Sequence, residues 1–126
     1  MQPLSRVLIV GDTDYLDIVS VYDKNDITMA DHSGKAIELL INENFDHLII
    51  DAAHGEESLN SYEVILDFIK DYPKKNTPKV TICCSTKSSK IHIRYAIMLR
   101  QQQKFPFVQI KKVTVRAHLD RLNYEE

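Results

Sequence analysis

The sequence predicts an α/β fold, a doubly wound five-stranded parallel sheet formed by one domain over residues 1–126. Three observations point there. Short apolar runs alternate with segments of helical period, the order expected of a parallel sheet covered on both faces. Two of those runs, Arg6-Val7-Leu8-Ile9-Val10-Gly11-Asp12 and His47-Leu48-Ile49-Ile50-Asp51, end in a carboxylate, and open α/β sheets place their sites at the carboxyl ends of their strands. A chain of 126 residues, 44% hydrophobic and 27% charged, is long enough to bury a single core and ordinary for a globular protein.

Each element has its own signal. Val7 to Val10 is a continuous apolar run rich in β-branched residues. Apolar residues at 15, 16, 18, 19 and 22 predict a short helix over Tyr15 to Tyr22. Asp26 to Ala30 forms a weak second strand. Ser33 is placed to cap a helix over Lys35 to Asn42, with Ala36, Ile37, Leu40 and Ile41 on its inner face. His47 to Ile50 is the strongest strand pattern. Asn60 with Glu63 three residues on resembles a capping box, followed by Val64, Ile65, Phe68 and Ile69 at helical spacing, and Pro73 stops that helix. Val80 to Cys84 gives the fourth strand and Phe107 to Ile110 the fifth, with Lys111 at its end. Between them, Ile91, Ile93, Tyr95 and Ile97 alternate like a strand, whereas Ala96 to Arg100 and three glutamines favour helix. Helix is the expectation for residues 88–103, because parallel neighbours need a crossover. Thr114 caps a last helix with Val115, Leu119 and Leu122 inward, making five βα units.

Composition narrows the function. Apolar runs are too short and interrupted for a transmembrane helix, and no secretory signal precedes the first strand, so no membrane role and a cytoplasmic location are expected. The cysteines, Cys83 and Cys84, are adjacent, which suits two small apolar side chains in a strand of a reduced protein. Residues 1–85 hold 15 acids against 7 bases, and residues 86–126 hold 9 bases against 3 acids. The two parts thus carry −8 and +6, an acidic side suited to a metal and a basic final third suited to an acidic protein partner. Solvated helix faces account for the same imbalance. The basic residues are scattered without regular aromatic interleaving, which argues against nucleic acid. His32, His47, His54, His92 and His118 show no metal-ligand spacing, and no phosphate-cradling glycine loop is present.

The order of elements and the strand ends resemble the receiver domain of bacterial response regulators over nearly the whole chain. Receivers carry an acidic pair after the first strand, a phosphorylated aspartate after the third, a Ser or Thr after the fourth and a lysine after the fifth. These fall here on Gly11-Asp12, on Asp51, on Ser85 with one residue of slack or Cys84 without it, and on Lys111. The resemblance implies a flavodoxin-like three-layer sandwich. It implies Mg²⁺ held by Asp12, Asp51 and the backbone carbonyl of Ala53, with waters completing an octahedron. It also implies a phosphoryl group accepted on Asp51 from a histidine kinase or phosphotransfer protein, paired with Lys111 and hydrogen-bonded by Ser85. The last two βα units would then repack to change partner binding. No output domain fits in 126 residues, so the effect would run through a partner.

The chain departs from that pattern at several places. Gly11 removes one carboxylate of the acidic pair and weakens the metal site. Ala52-Ala53-His54-Gly55 replaces the usual Met-Pro stretch, and Lys112 stands where the family has a proline. Two further readings therefore stay open. One is a pseudo-receiver, a phosphorylation-independent interaction module. The other is a small phosphatase-like or hydrolase-like enzyme with Asp51 as nucleophile, although no second Asp follows two residues later as general acid.

Overall fold

The computed structural model describes residues 5–11, 25–51, 56–72, 76–83, 99–100, 102–113 and 115–125. Five strands run in chain order as β1 (Ser5–Val10), β2 (Asn25–Ala30), β3 (His47–Asp51), β4 (Lys79–Cys83) and β5 (Val108–Lys111). All neighbours are parallel, and the spatial order is β2-β1-β3-β4-β5. The chain direction across the sheet reverses between β1 and β3, which makes that junction the topological switch point. Three helices are complete among the described residues: α1 (Ser33–Asn42), α2 (Glu56–Lys70) and α3 (Val115–Glu125). Residues 99–100 and 102–104 are also helical, in agreement with a crossover before β5. This is the doubly wound, flavodoxin-like sheet that the sequence predicts. The helix expected over 15–22 lies outside the described residues.

Both faces of the sheet are covered, and strand parity decides which residue serves which face. Leu8, Val10, Leu48, Ile50, Val80, Ile82 and Val108 point to one side, where they form a core with Ala36 and Leu40 of α1 and Ile65, Leu66 and Ile69 of α2. Val7, Ile9, Ile49 and Cys83 point to the other and pack with Val115 and Leu119 of α3. Full burial of each Leu or Ile contributes about 1.5–3 kcal/mol. This explains why continuous apolar runs, rather than alternating ones, form β1 and β3.

Some local expectations shift. The cap of α1 is His32, not Ser33: its backbone is extended (φ −150°, ψ 165°) and its Nδ1 accepts from Lys35 N at 3.1 Å. Ile41 is 53% exposed; the inward side of α1 uses Ile37 and Leu39 beside Ala36 and Leu40. Asn60 does not open a helix, since α2 already runs from Glu56. Val64 is 54% exposed, and Leu66 takes its place in the core. β4 begins one residue earlier than expected, at Lys79, its expected end at Cys84 lying outside the described residues, and β5 is shifted one residue along, to Val108–Lys111.

A clamp holds β1 to the entry of β3. Arg6 N donates to Asp46 Oδ2 and Asp46 N donates to Arg6 O, both at 2.8 Å. The Arg6 guanidinium pairs with Glu43 at 2.5 Å, donates to Asn44 O at 3.0 Å and lies 4.9 Å from the Phe45 ring centroid. Asp46 O in turn accepts from Lys79 N at 3.0 Å, so three strands enter the sheet from one fixed point. At the other edge, Lys104 pairs with Glu63 of α2, and that hydrogen bond holds the Lys104 ammonium above its ordinary pKa.

Candidate functional site

β3 is a central strand, and its last residue is a carboxylate. Asp51 is only 4% exposed, at the end of an apolar strand whose other residues bury the sheet core. Burying a carboxylate is costly, so its position at the carboxyl edge beside the switch point marks it as a functional candidate. The register puts Asp51 level with Cys83 on β4, and Cys83 level with Lys111 on β5. All three therefore share one face. With neighbouring strands about 4.8 Å apart, the Asp51 and Lys111 backbones are roughly 10 Å apart, within reach of a lysine side chain across the small Cys83. Among the described residues no carboxylate forms an ion pair with the half-buried Lys111, so its charge is available at this edge.

On the switch-point side, Val10 is level with Ile50, which brings Gly11 beside Asp51. Gly11 is buried, and its N–H donates to Ala30 O at 2.9 Å, tying the end of β1 to β2. A carboxylate at residue 11 would have to be accommodated in that buried position. Asp12, Ala53, Ser85 and Cys84 lie outside the described residues, so of the sequence-predicted set the structure brings together Asp51 and Lys111. The residue level with Asp51 on β4 is Cys83, and it is fully buried. Among the described residues no group of three or more His, Cys, Asp or Glu side chains is arranged to hold a metal ion.

A second feature escaped the sequence reading. On the α3 side, β4 and β5 present Lys79, Thr81, Gln109 and Lys111 where a sheet covered on both faces would present apolar residues. These residues line a cleft of about 370 Å³, together with His47 from β3 and His118 from α3. Thr81 and His118 are 4% and 3% exposed. The signal was present in Val108-Gln109-Ile110-Lys111, whose strict alternation marks one wet face, and in His118, which sits one residue before the core residue Leu119.

Comparisons of the chain with protein-family models, with curated proteins and with solved structures found no match. Among the described residues no helix is long and apolar enough to cross a membrane.

Proposed function

We propose that this chain is a receiver-like signalling domain that accepts a phosphoryl group on Asp51 and changes partner binding through its last two βα units. The observation that supports it is a nearly buried carboxylate closing the central strand at the switch point, with a lysine level with it on the same face. In the transfer, an Asp51 carboxylate oxygen forms a bond to phosphorus while the bond from phosphorus to the donor breaks and its electron pair leaves with the donor. The donor is a phosphohistidine of a kinase or phosphotransfer protein, or a small acyl phosphate. Lys111 would meet the phosphoryl oxygens as a compact charge. Ser85, or Cys84 if the register is one residue tighter, would follow the modified carboxyl. Asp51 would supply a hard oxygen to Mg²⁺, with Asp12 and the Ala53 carbonyl as the other protein ligands. Bound there, the ion would offset the charge that gathers on the transferring group. The basic final third offers the surface for a downstream protein.

Gly11 favours a second reading. A β1 terminus with no side chain beside Asp51 holds a cation less well, and the same scaffold would then act as an interaction module without phosphorylation. Intact-mass spectrometry after incubation with acetyl phosphate and Mg²⁺ separates the two. One added phosphoryl group that requires both Mg²⁺ and Asp51, and is lost in Asp51→Asn, is the expected result. No adduct in the wild type at high Mg²⁺ refutes the acceptor role and leaves the module.

A further inference from the structure

We infer that the cleft between the β4–β5 face and α3 is a binding site for a small, elongated organic bisphosphate, a site that shares Lys111 with the phosphoryl-acceptor edge but extends away from it along β4 and β5. Its floor is polar by strand parity: Thr81 and Gln109 are level with each other, and the same rows continue to His47–Lys79 on one side and Cys83–Lys111 on the other. The opposite parity of the same strands, Val80, Ile82, Val108 and Ile110, goes into the main core. The polarity is thus confined to one face, where Phe107 of the strand end and Leu122 of α3 add apolar edges to the cleft.

The charge of the lining is one-sided. Lys79 and Lys111 bring two ammonium groups and His47 and His118 two imidazoles, and among the described residues no acidic side chain lines the cleft. This stands out in a chain whose net charge is −2. Lys111 lies four residues further along β5 than the residue level with Lys79, so the two lysines are separated by roughly 13 Å along the strands. A positive group near each end, with hydroxyl, amide and imidazole between, matches a ligand with an anion at each end and hydroxyls in the middle. The volume of about 370 Å³ suits a molecule of hexose-bisphosphate size, at the small end of the range for ligand sites. Thr81 and His118, both more than nine-tenths buried, supply fixed polar atoms rather than flexible surface charge. Lys111 also belongs to the Asp51 row, so a bisphosphate in the cleft draws on the same ammonium that a phosphoryl group on Asp51 would use.

Titration calorimetry at low ionic strength, with fructose 1,6-bisphosphate as the probe and inorganic phosphate as the comparison, tests this on the full chain. Saturable one-to-one binding of the bisphosphate is expected, tighter than that of inorganic phosphate and weakening with added salt. Lys79→Gln and Lys111→Gln should each weaken it by about tenfold or more, the loss of one charge-assisted contact. Lys112→Gln, the exposed neighbour outside the cleft, should leave it unchanged. Absence of saturable binding, equal affinity for inorganic phosphate, or equal losses from Lys79→Gln and Lys112→Gln each overturn the site. Binding retained in Asp51→Asn shows that the cleft stands apart from the acceptor. If acetyl phosphate labels nothing while the bisphosphate still binds, only the acceptor reading falls.

Discussion

Phe105→Ala removes the plug that seats the edge strand carrying Gln109 and Lys111. Phe105 is fully buried in the core shared by α1 and α2, its ring centroid lies 5.9 Å from that of Phe107, and its carbonyl accepts from Val108 N at 3.1 Å. β5 is only four residues long and pairs with β4 alone. Truncating a fully buried phenylalanine costs about 3–5 kcal/mol, of which the contact with Phe107 accounts for about 0.5–1.5. A chain of this length has roughly 6–19 kcal/mol of stability, so the variant stays folded but loses a large fraction. At about 3–5 °C per kcal/mol, Tm falls by roughly 9–25 °C. Urea unfolding should show a lower midpoint at unchanged slope, with Phe105→Leu recovering most of the loss. Amide exchange should accelerate at Val108 to Lys111 beyond the change at Leu8 or Ile49, because the edge strand loses its anchor first. A loss below about 1.5 kcal/mol, or uniform acceleration across the sheet, refutes the view that Phe105 positions β5.

Other residues give sharper tests of single interactions. Tyr72 donates its hydroxyl to Leu40 O at 3.3 Å and packs edge-on to Phe68, with ring centroids 5.7 Å apart. Tyr72→Phe should cost about 1 kcal/mol in urea unfolding. Burial raises the Tyr72 pKa above its ordinary value of 10.0, so its contribution is whole below pH 10 and is lost as pH rises through the higher folded pKa. Alkaline titration of stability should lose that part of its dependence in Tyr72→Phe, and an identical pH profile would sink the assignment. Gly34 sits in the first turn of α1, where a Cβ would lie 3.3 Å from Nδ1 and 3.4 Å from Cε1 of the His32 cap. Gly34→Ala should therefore gain less than the usual helix benefit of about 1 kcal/mol, and the full gain should return in a His32→Ala background. Additive effects would show that the cap ring does not meet residue 34.

Much of the scaffold was legible because burial on both faces writes itself as continuous apolar sequence. Val7 to Val10 and His47 to Ile50 could only be central strands, and Asp51 stood out as the charge that ends one of them. Helix ends were read less well. Ser33 is a better cap by type than His32, but the extended backbone at residue 32 places the imidazole, not the hydroxyl, at the first free N–H groups. Asn60 and Glu63 carry the letters of a capping box inside a helix that already runs from Glu56. Ile41 and Val64 show the limit of reading a face from spacing, because the width of the covered stripe depends on what packs against it. The cleft was hidden for a related reason. Lys79, Thr81, Gln109 and Lys111 become neighbours only through the pairing of β4 with β5, and His118 joins them only through the docking of α3.

The thiol of Cys83 gives this sheet a built-in reporter of its own opening. It is fully shielded, packed with Ile49, Val115 and Leu119, in the row that joins Asp51 to Lys111. A thiolate must meet its reagent in solution, so alkylation at Cys83 can proceed only when α3 lifts or the sheet separates. Its rate, read from fragment ions that resolve Cys83 from the adjacent Cys84, measures how often the row between acceptor and lysine is uncovered. Any ligand that holds α3 down against β4 and β5 will slow that clock, whether or not it touches sulfur.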